Sequence, residues 1–333
     1  MIQYFEDYAR VVFRELGSKV KFWSTFNEPD IFCRMIAYLN ESAPDTAYRN
    51  RYLCGHNILK AHARAYHIYD EEFRPHQQGK IGLVTNSGYF FPKLENDTES
   101  VEIYFAFQGR WFLDPIFSKS GDYPQVMKTR IAENSKVEGL THSRLPEFSP
   151  EWINYIKGTA DYLGINHYAP FMVEPANKTD SGRWYDDSGI IHSNNSEWKV
   201  TSIGFRIFPK AIGGLLRKLT EIYDKPPIYI MENGMSSQSG VMDGDRIEYL
   251  YSYMKEVLFA IRDGCDVRAY TVWSLLDNFE WFFGYSQRFG LISVDFDDPN
   301  RKRTLKLSSY WLKTVIEEGH LVPANETIIN LLK

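Results

Sequence analysis

Short apolar runs alternate with longer segments of helical spacing along this chain of 333 residues, and that alternation restricts the fold more than any other feature. The apolar runs that we interpret as strands are residues 20–27, 80–85, 161–166, 228–232 and 269–275. Strands that alternate with helices form parallel βα units. Near-continuous apolar strands are typical of a sheet that helices cover on both faces. We therefore predict an α/β fold, and a chain of this length fits a single α/β barrel.

Polar residues stand where each predicted strand ends. They are Asn27 and Glu28, Asn86, Asn166, Glu232 and Asn233, and Asp277 and Asn278. In an α/β barrel the carboxyl ends of the strands surround one mouth, which is where catalysis takes place. The sequence therefore predicts one convergent site, built from residues that lie far apart along the chain.

Glu28 and Glu232 each end a predicted strand, and each has an ordinary alternative as a loop glutamate. Two carboxyl groups across a barrel mouth are what glycoside hydrolysis requires, because one protonates the leaving oxygen while the other attacks the anomeric carbon or activates water. A separation of about 5–5.5 Å indicates retention of configuration, and about 6.5–9.5 Å indicates inversion. The pair predicts a glycosidase, while its stereochemistry depends on a distance that the tertiary structure sets.

Several motifs around these glutamates occur in the same order as in a known family. They are Asn27-Glu28-Pro29, Gly164-Ile165-Asn166-His167-Tyr168, Glu232-Asn233-Gly234, and the stretches 273–281 and 284–290. Together they resemble glycoside hydrolase family 1, the β-glucosidases and their relatives, over nearly the whole chain, and the insect members most of all. The resemblance implies a (β/α)8 TIM barrel and a retaining mechanism with a covalent glycosyl-enzyme intermediate.

The resemblance also implies roles for the residues nearest the reaction. Glu28 resembles the general acid/base, and Glu232 resembles the nucleophile. Asn27 resembles the residue that hydrogen-bonds the sugar 2-hydroxyl, and Asn166 resembles an asparagine beside the acid/base. Tyr168 resembles the tyrosine that orients the nucleophile, although a hydrogen-bonded core tyrosine is its ordinary alternative.

Four further residues resemble parts of the sugar pocket. Trp273 resembles the platform under the glycone, and Phe289 resembles another wall of that pocket. Without their flanking motifs, both would be read as core aromatics. Glu280 and Trp281 resemble the pair that binds the outer hydroxyls, and a carboxylate there would repel a 6-phosphate on the sugar.

The strand count departs from the family pattern. The motif at Glu28 corresponds to the fourth strand of the family barrel, so the five predicted strands match the fourth to the eighth. We therefore expect residues 1–333 to form a single glycosidase domain that lacks the first three βα units. The family's glycone-binding Gln and His, and an Arg beside the nucleophile, would be absent with them.

Composition limits the partners. The formal net charge is −5 and no basic block stands out, so no nucleic-acid partner is expected. The longest apolar runs are too short to span a bilayer. The three cysteines are too widely spaced for a metal site, and we expect neither a metal nor another cofactor. Cys33, Cys54 and Cys265 are interpreted as three buried thiols, in preference to a Cys33–Cys54 bridge.

Sequons indicate the compartment. The five N-x-[ST] sites are Asn40, Asn96, Asn177, Asn194 and Asn325. Together they favour a secreted or lumenal glycoprotein, whose signal peptide we expect on the missing N-terminal part.

Three functions fit these observations. The leading prediction is a retaining β-glycosidase that acts on small β-glucosides. A thioglucosidase of the myrosinase kind would use the same pocket with a different aglycone. A catalytically impaired sugar-binding protein or fragment is the alternative from another class. A homodimer is one assembly that the sequence leaves open.

Overall fold

The computed structural model describes residues 1–39, 44–176 and 187–324. Its helices are α1 Ile2–Leu16, α2 Pro29–Leu39, α3 Pro44–Ile68, α4 Arg74–Gln77, α5 Thr98–Phe105, α6 Trp111–Phe117, α7 Gln125–Val137, α8 Pro150–Ile156, α9 Lys210–Ile222, α10 Gly244–Arg262 and α11 Leu307–Glu318. Its strands are β1 Phe22–Asn27, β2 Lys80–Asn86, β3 Phe90–Pro92, β4 Tyr162–Asn166, β5 Phe171–Pro175, β6 Ile190–Ser193, β7 Lys199–Val200, β8 Arg206–Ile207, β9 Ile228–Asn233, β10 Val267–Val272, β11 Ile292–Val294 and β12 Arg303–Leu305. Two π-helical turns, Tyr69–Phe73 and Ala106–Arg110, and one 3-10 turn, Trp281–Phe283, complete the regular structure of these residues.

The five predicted strands form one parallel sheet in chain order, β1-β2-β4-β9-β10. Its central strands carry the near-continuous burial that their apolar sequence predicts, and every residue of β4 is buried. Helices that connect successive strands cover the sheet, as right-handed βα crossovers do. The α/β prediction is therefore confirmed. Within the described residues, β1 and β10 are the two edges of this sheet.

The register of the sheet brings its polar ends together. Asn86 at the end of β2 pairs with Asn166 at the end of β4. Asn166 in turn pairs with Glu232 on β9. Because all these strands run in the same direction, residues more than 140 positions apart in sequence meet at the carboxyl end of the sheet.

The helical segment that begins with α3 ends a few residues later than its sequence predicts. A helix ending near Arg74 and Pro75 is the expectation, because a proline lacks the N–H for helical bonding. The structure instead continues through the π-helical turn Tyr69–Phe73 into α4, where Pro75 occupies the first turn. Gln78 then ends the helix in the left-handed conformation, with φ of 56°.

The interpretation of the cysteines as three thiols is wrong. Cys33 on α2 and Cys54 on α3 form a disulfide, while Cys265 is a buried free thiol. Packing of α2 along α3 brings the two sulfurs together, and no pattern in the sequence reports that packing.

Two sequons can be located. Asn96 lies in an exposed turn with φ of 65°, and Asn194 is exposed just after β6. Asn40, Asn177 and Asn325 lie outside the described residues.

Candidate active site

Glu28 occupies the junction between β1 and α2. Its N–H donates to the carbonyl of Val84 on β2 at 2.8 Å, and its carbonyl accepts from the N–H of Phe32 at 3.1 Å. Pro29 is the first residue of α2, where its fixed φ suits a helix and its missing N–H costs nothing. Between these constraints Glu28 adopts a φ of 48°, which non-glycine residues rarely adopt. The sheet and the helix together hold this conformation.

A continuous set of hydrogen bonds joins the two glutamates. The amide of Asn166 donates to Glu28 Oε1 at 2.9 Å and to Asn27 Oδ1 at 3.0 Å. Asn27 Nδ2 is 3.4 Å from Glu232 Oε1, and the hydroxyl of Tyr168 donates to Glu232 Oε2 at 2.7 Å. Three strand ends and the loop after β4 therefore bring five predicted site residues into one array.

Burial and neighbouring negative charge act on Glu28 in the same direction. Burial raises the pKa of Glu28 to about 7, and the carboxylates of Asp30, Glu232 and Glu280 contribute to the increase. The hydrogen bond from Asn166 opposes it. Near neutral pH a large fraction of Glu28 therefore carries a proton, which a general acid must do.

Glu232 has more donors than Glu28. Burial raises its pKa above the ordinary value, and Glu280 adds to that effect. The Tyr168 hydroxyl and the Asn27 amide oppose the increase by stabilising the charged form. Burial and the adjacent Glu232 raise the pKa of Tyr168 far above its usual range, so this tyrosine stays a hydrogen-bond donor. The two carboxyl groups thus differ in the number of hydrogen bonds that stabilise their charged forms.

The predicted pocket residues surround this array to different degrees. Phe289 is buried and presents its ring edgewise to Tyr168, with 6.2 Å between centroids. Trp273 directly follows β10, is half-buried and donates its backbone N–H to the carbonyl of Asn233 at 2.9 Å. Glu280 lies near enough to raise the pKa of both glutamates, and it accepts from Asn278 Nδ2 at 3.1 Å.

Trp281 stands apart from the other predicted site residues. It is 70% exposed at the start of the 3-10 turn. Within the part of the chain that the structure describes, no hydrogen bond or ring contact joins it to the rest of the site. Its role in sugar binding stays a prediction.

One of the predicted strand-end residues serves the fold instead. Asp277 is buried, pairs with the ammonium of Lys306 at 2.9 Å and accepts from the N–H of Gly290 at 2.9 Å. It holds the segment after β10 against the segment that carries Phe289. A buried, fully paired carboxylate of this kind is unsuited to proton transfer with a substrate.

Two residues near the site had no individual role assigned from the sequence. The amide of Asn233 is buried, donates to the carbonyl of His167 and to the Tyr249 hydroxyl, and accepts from the Tyr270 hydroxyl. It thereby joins the end of β9 to the loop that carries Tyr168. Asp30 is 1% exposed beside Glu28. Asn233 lies in the predicted motif Glu232-Asn233-Gly234, whereas the burial of Asp30 has no signal in the sequence.

Two further features of the described residues concern metal ions and membranes. In residues 1–39, 44–176 and 187–324, no group of three or more His, Cys, Asp or Glu side chains is arranged to hold a metal ion. Across those same ranges, every helix is too short or too polar to cross a membrane.

Comparison with known proteins places the chain in a family. The family Glycosyl hydrolase family 1 matches residues 1–320. Lactase/phlorizin hydrolase of Rattus norvegicus is 40% identical over an alignment of 326 residues that covers 95% of this chain and 17% of that protein. Myrosinase 1 of Brevicoryne brassicae is 39% identical, over 96% of this chain and 70% of that protein.

A solved structure shows the same relationship. Aphid myrosinase superposes with a TM-score of 0.88 at 38% identity, over 95% of this chain and 70% of that chain. The chain thus spans about a sixth of the lactase/phlorizin hydrolase and about two thirds of the aphid enzyme. It belongs to glycosyl hydrolase family 1.

Proposed function

We propose that this chain carries the catalytic site of a retaining β-glycosidase that hydrolyses β-glucosides, within one glycosidase domain. The observation that supports the proposal best is the hydrogen-bonded array that links Glu28 to Glu232 through Asn166 and Asn27. It combines a carboxyl group that keeps its proton near neutral pH with a carboxylate that hydrogen bonds from Tyr168, Asn27 and Asn166 stabilise.

The first step forms the glycosyl-enzyme. Tyr168 holds Glu232 Oε2 at 2.7 Å, whereas the contact of Asn27 with Oε1 is longer, at 3.4 Å, so Oε1 is the oxygen available to attack the anomeric carbon. As that bond forms, the bond to the leaving oxygen breaks, and Glu28 gives its proton to that oxygen. Asn27 then lies beside the nucleophile, where a sugar 2-hydroxyl would sit.

The second step reverses the role of Glu28. Esterification removes the charge of Glu232, which is one of the charges that raise the pKa of Glu28. That pKa therefore falls, and the ionised Glu28 takes a proton from water as the water attacks the anomeric carbon. Cleavage of the ester returns Glu232 as a carboxylate and Glu28 as an acid.

The sugar class follows from Glu280. Its carboxylate is close enough to act on both glutamates electrostatically, and it can accept hydrogen bonds from sugar hydroxyls at the far end of the pocket. A 6-phosphate would meet this negative charge, so unphosphorylated glycosides are the proposed substrates.

The experiment is nitrophenol release from an aryl β-glucoside by the 1–333 chain, with the Glu232→Gln variant beside it. We expect turnover in the parent chain and a loss of more than about 10³-fold in the variant, with an unchanged thermal unfolding transition. NMR of the first-formed sugar anomer tests retention directly. Normal turnover in Glu232→Gln, or inversion at the anomeric carbon, would contradict the proposal.

A thioglucosidase activity is the second candidate, because Myrosinase 1 is among the similar proteins. The same two steps apply, but a thiolate leaving group needs little protonation. Removal of the acid by Glu28→Gln should therefore spare a thioglucoside substrate and damage an alkyl O-glucoside. Comparable cleavage of both substrates by the parent chain would support this candidate.

Secretion and glycosylation are proposed on two observations. Asn96 and Asn194 are exposed, and the Cys33–Cys54 disulfide is of a kind that persists in oxidising compartments. Expression in a secretory host should yield a protein whose electrophoretic mobility increases after enzymatic deglycosylation. No change in mobility would contradict the glycoprotein assignment.

A further inference from the structure

Asp30 is a buried carboxylate of an unusual kind. It is the second residue of α2 and is 1% exposed. Neither of its oxygens has a hydrogen-bond partner among the described residues. The guanidinium of Arg34, one turn along the same helix, is 3.6 Å away and forms an ion pair without a hydrogen bond.

Other buried aspartates of the described chain are bonded differently. Asp243 accepts from Arg246 and Ser308, at 2.7 Å in each case, and Asp277 accepts from Lys306 at 2.9 Å. Those carboxylates connect segments of the fold. Asp30 has no such hydrogen bond to another segment, so less of the desolvation cost of its burial is offset.

Besides Arg34, Asp30 has Glu28 as a neighbour. Only Pro29 separates Asp30 from Glu28, and the tight junction between β1 and α2 holds both. We propose that Asp30 is a positioning residue for the acid step: its negative charge, retained by Arg34, keeps Glu28 protonated and thereby sets the alkaline limit of activity. This inference rests on the proposed glycosidase function.

The sign of the effect follows from the charges. Burial raises the pKa of Asp30 to about 6, while Arg34 and the nearby N–H groups of Ile31 and Asn86 favour its charged form. Above about pH 6 Asp30 is therefore mostly ionised, and a like charge disfavours ionisation of Glu28. Unlike the charge of Glu232, this charge persists in the glycosyl-enzyme, so it acts on both steps.

Several other titratable groups face this region or lie on elements packed against α2. Glu232, Glu280 and Tyr168 lie across the site from Glu28, and Arg51 and His192 line a cavity next to Arg34. The packed helical elements also carry His56, His62, Arg110 and Asp114. His62 is buried and its pKa is lowered to about 4 by burial, and Arg110 is paired with Asp114, so neither alters the balance at Glu28 near neutral pH.

The test is the pH profile of kcat/KM for an aryl β-glucoside with Asp30→Asn. We expect its alkaline limb to move down by at least about half a pH unit, because Glu28 then ionises more readily. Asp30→Glu keeps the negative charge, so its alkaline limb should lie close to that of the parent chain. Glu99→Gln, which removes an exposed first-turn acid from α5, is the matched control and should leave the limb in place.

A direct titration separates this inference from the proposed function. In protein with 13C-labelled glutamate carboxyls, the Glu28 signal is assigned by its loss in Glu28→Gln, and its midpoint is compared between the parent and Asp30→Asn. A lower midpoint in a chain that cleaves no glycoside would support the coupling and contradict the function. An unchanged midpoint would overturn the inference, whatever the activity.

Stability of the variant needs its own control. Asp30→Asn leaves Arg34 without its partner, and this can destabilise the chain. The double variant Asp30→Asn with Arg34→Gln removes both charges together. Its Glu28 midpoint should also fall, because Asp30 is the nearer neighbour in the chain and its charge is the one that raises the pKa of Glu28. A midpoint that returns to the parent value would assign the effect to Arg34 and overturn the inference.

Discussion

The hydroxyl of Tyr168 offers the most direct perturbation of the proposed nucleophile. It donates to Glu232 Oε2 at 2.7 Å, and it is the strongest of the groups that oppose the effect of burial on the Glu232 pKa. Tyr168→Phe removes that donor and leaves the ring that packs against Phe289.

The magnitude follows from the hydrogen bond. A bond to a charged group contributes about 1.5–3 kcal/mol. One pKa unit corresponds to about 1.4 kcal/mol. Loss of the bond should therefore raise the pKa of Glu232 by about one to two units. Because the nucleophile must be ionised, the acidic limb of kcat/KM should move to higher pH by the same amount.

The assay is a pH profile of nitrophenol release from an aryl β-glucoside. The alkaline limb depends on Glu28, which accepts its hydrogen bond from Asn166, so it should stay near pH 7 while the profile narrows from the acidic side. Tyr162→Phe is the matched control. It removes a hydroxyl that contacts Ser24 and the Trp23 carbonyl at the opposite end of β4, and both limbs should remain unchanged.

A particular outcome would refute this reasoning. If Tyr168→Phe lowers kcat/KM equally at every pH and leaves the acidic limb in place, the hydroxyl does not set the ionisation of Glu232. The tyrosine would then act on the geometry of the site alone.

Two further predictions test the acid and the disulfide. Glu28→Gln should lower kcat/KM by about 10²–10⁴-fold for glucosides with poorly acidic leaving groups, and much less for dinitrophenyl glucosides. Steady-state rates on both substrates measure this difference. Equal losses on the two substrates would argue against an acid role. Cys54→Ser should lower the free energy of unfolding by about 3 kcal/mol, because the bridge closes a loop of 21 residues. Denaturant unfolding measures that loss, Cys265→Ser serves as the control, and equal stability of the two variants would contradict a stabilising bridge.

Sequence pattern predicted the strands well, for a physical reason. Residues 161–166 and 228–232 are apolar because strands in the middle of a parallel sheet are covered on both faces, and β4 and β9 occupy those ranges. The two glutamates were identified because each follows such a run inside a specific motif. The small sheet in which β5 pairs with β3 and β6 pairs with β5 was not predicted, since pairing with a distant strand leaves no local signal.

By itself, the sequence determined the α/β class, the order of the strands and the residue types at the strand ends, because burial on one or both faces imposes a period that can be read locally. Tertiary structure decided which of those residues come together and what surrounds each of them. It paired Asp277 with Lys306, bridged Cys33 to Cys54 and buried Asp30 beside Glu28. Each of these contacts depends on distances between elements, and strand register and helix packing set those distances. The pKa of a carboxyl group depends on such distances rather than on its neighbours in sequence.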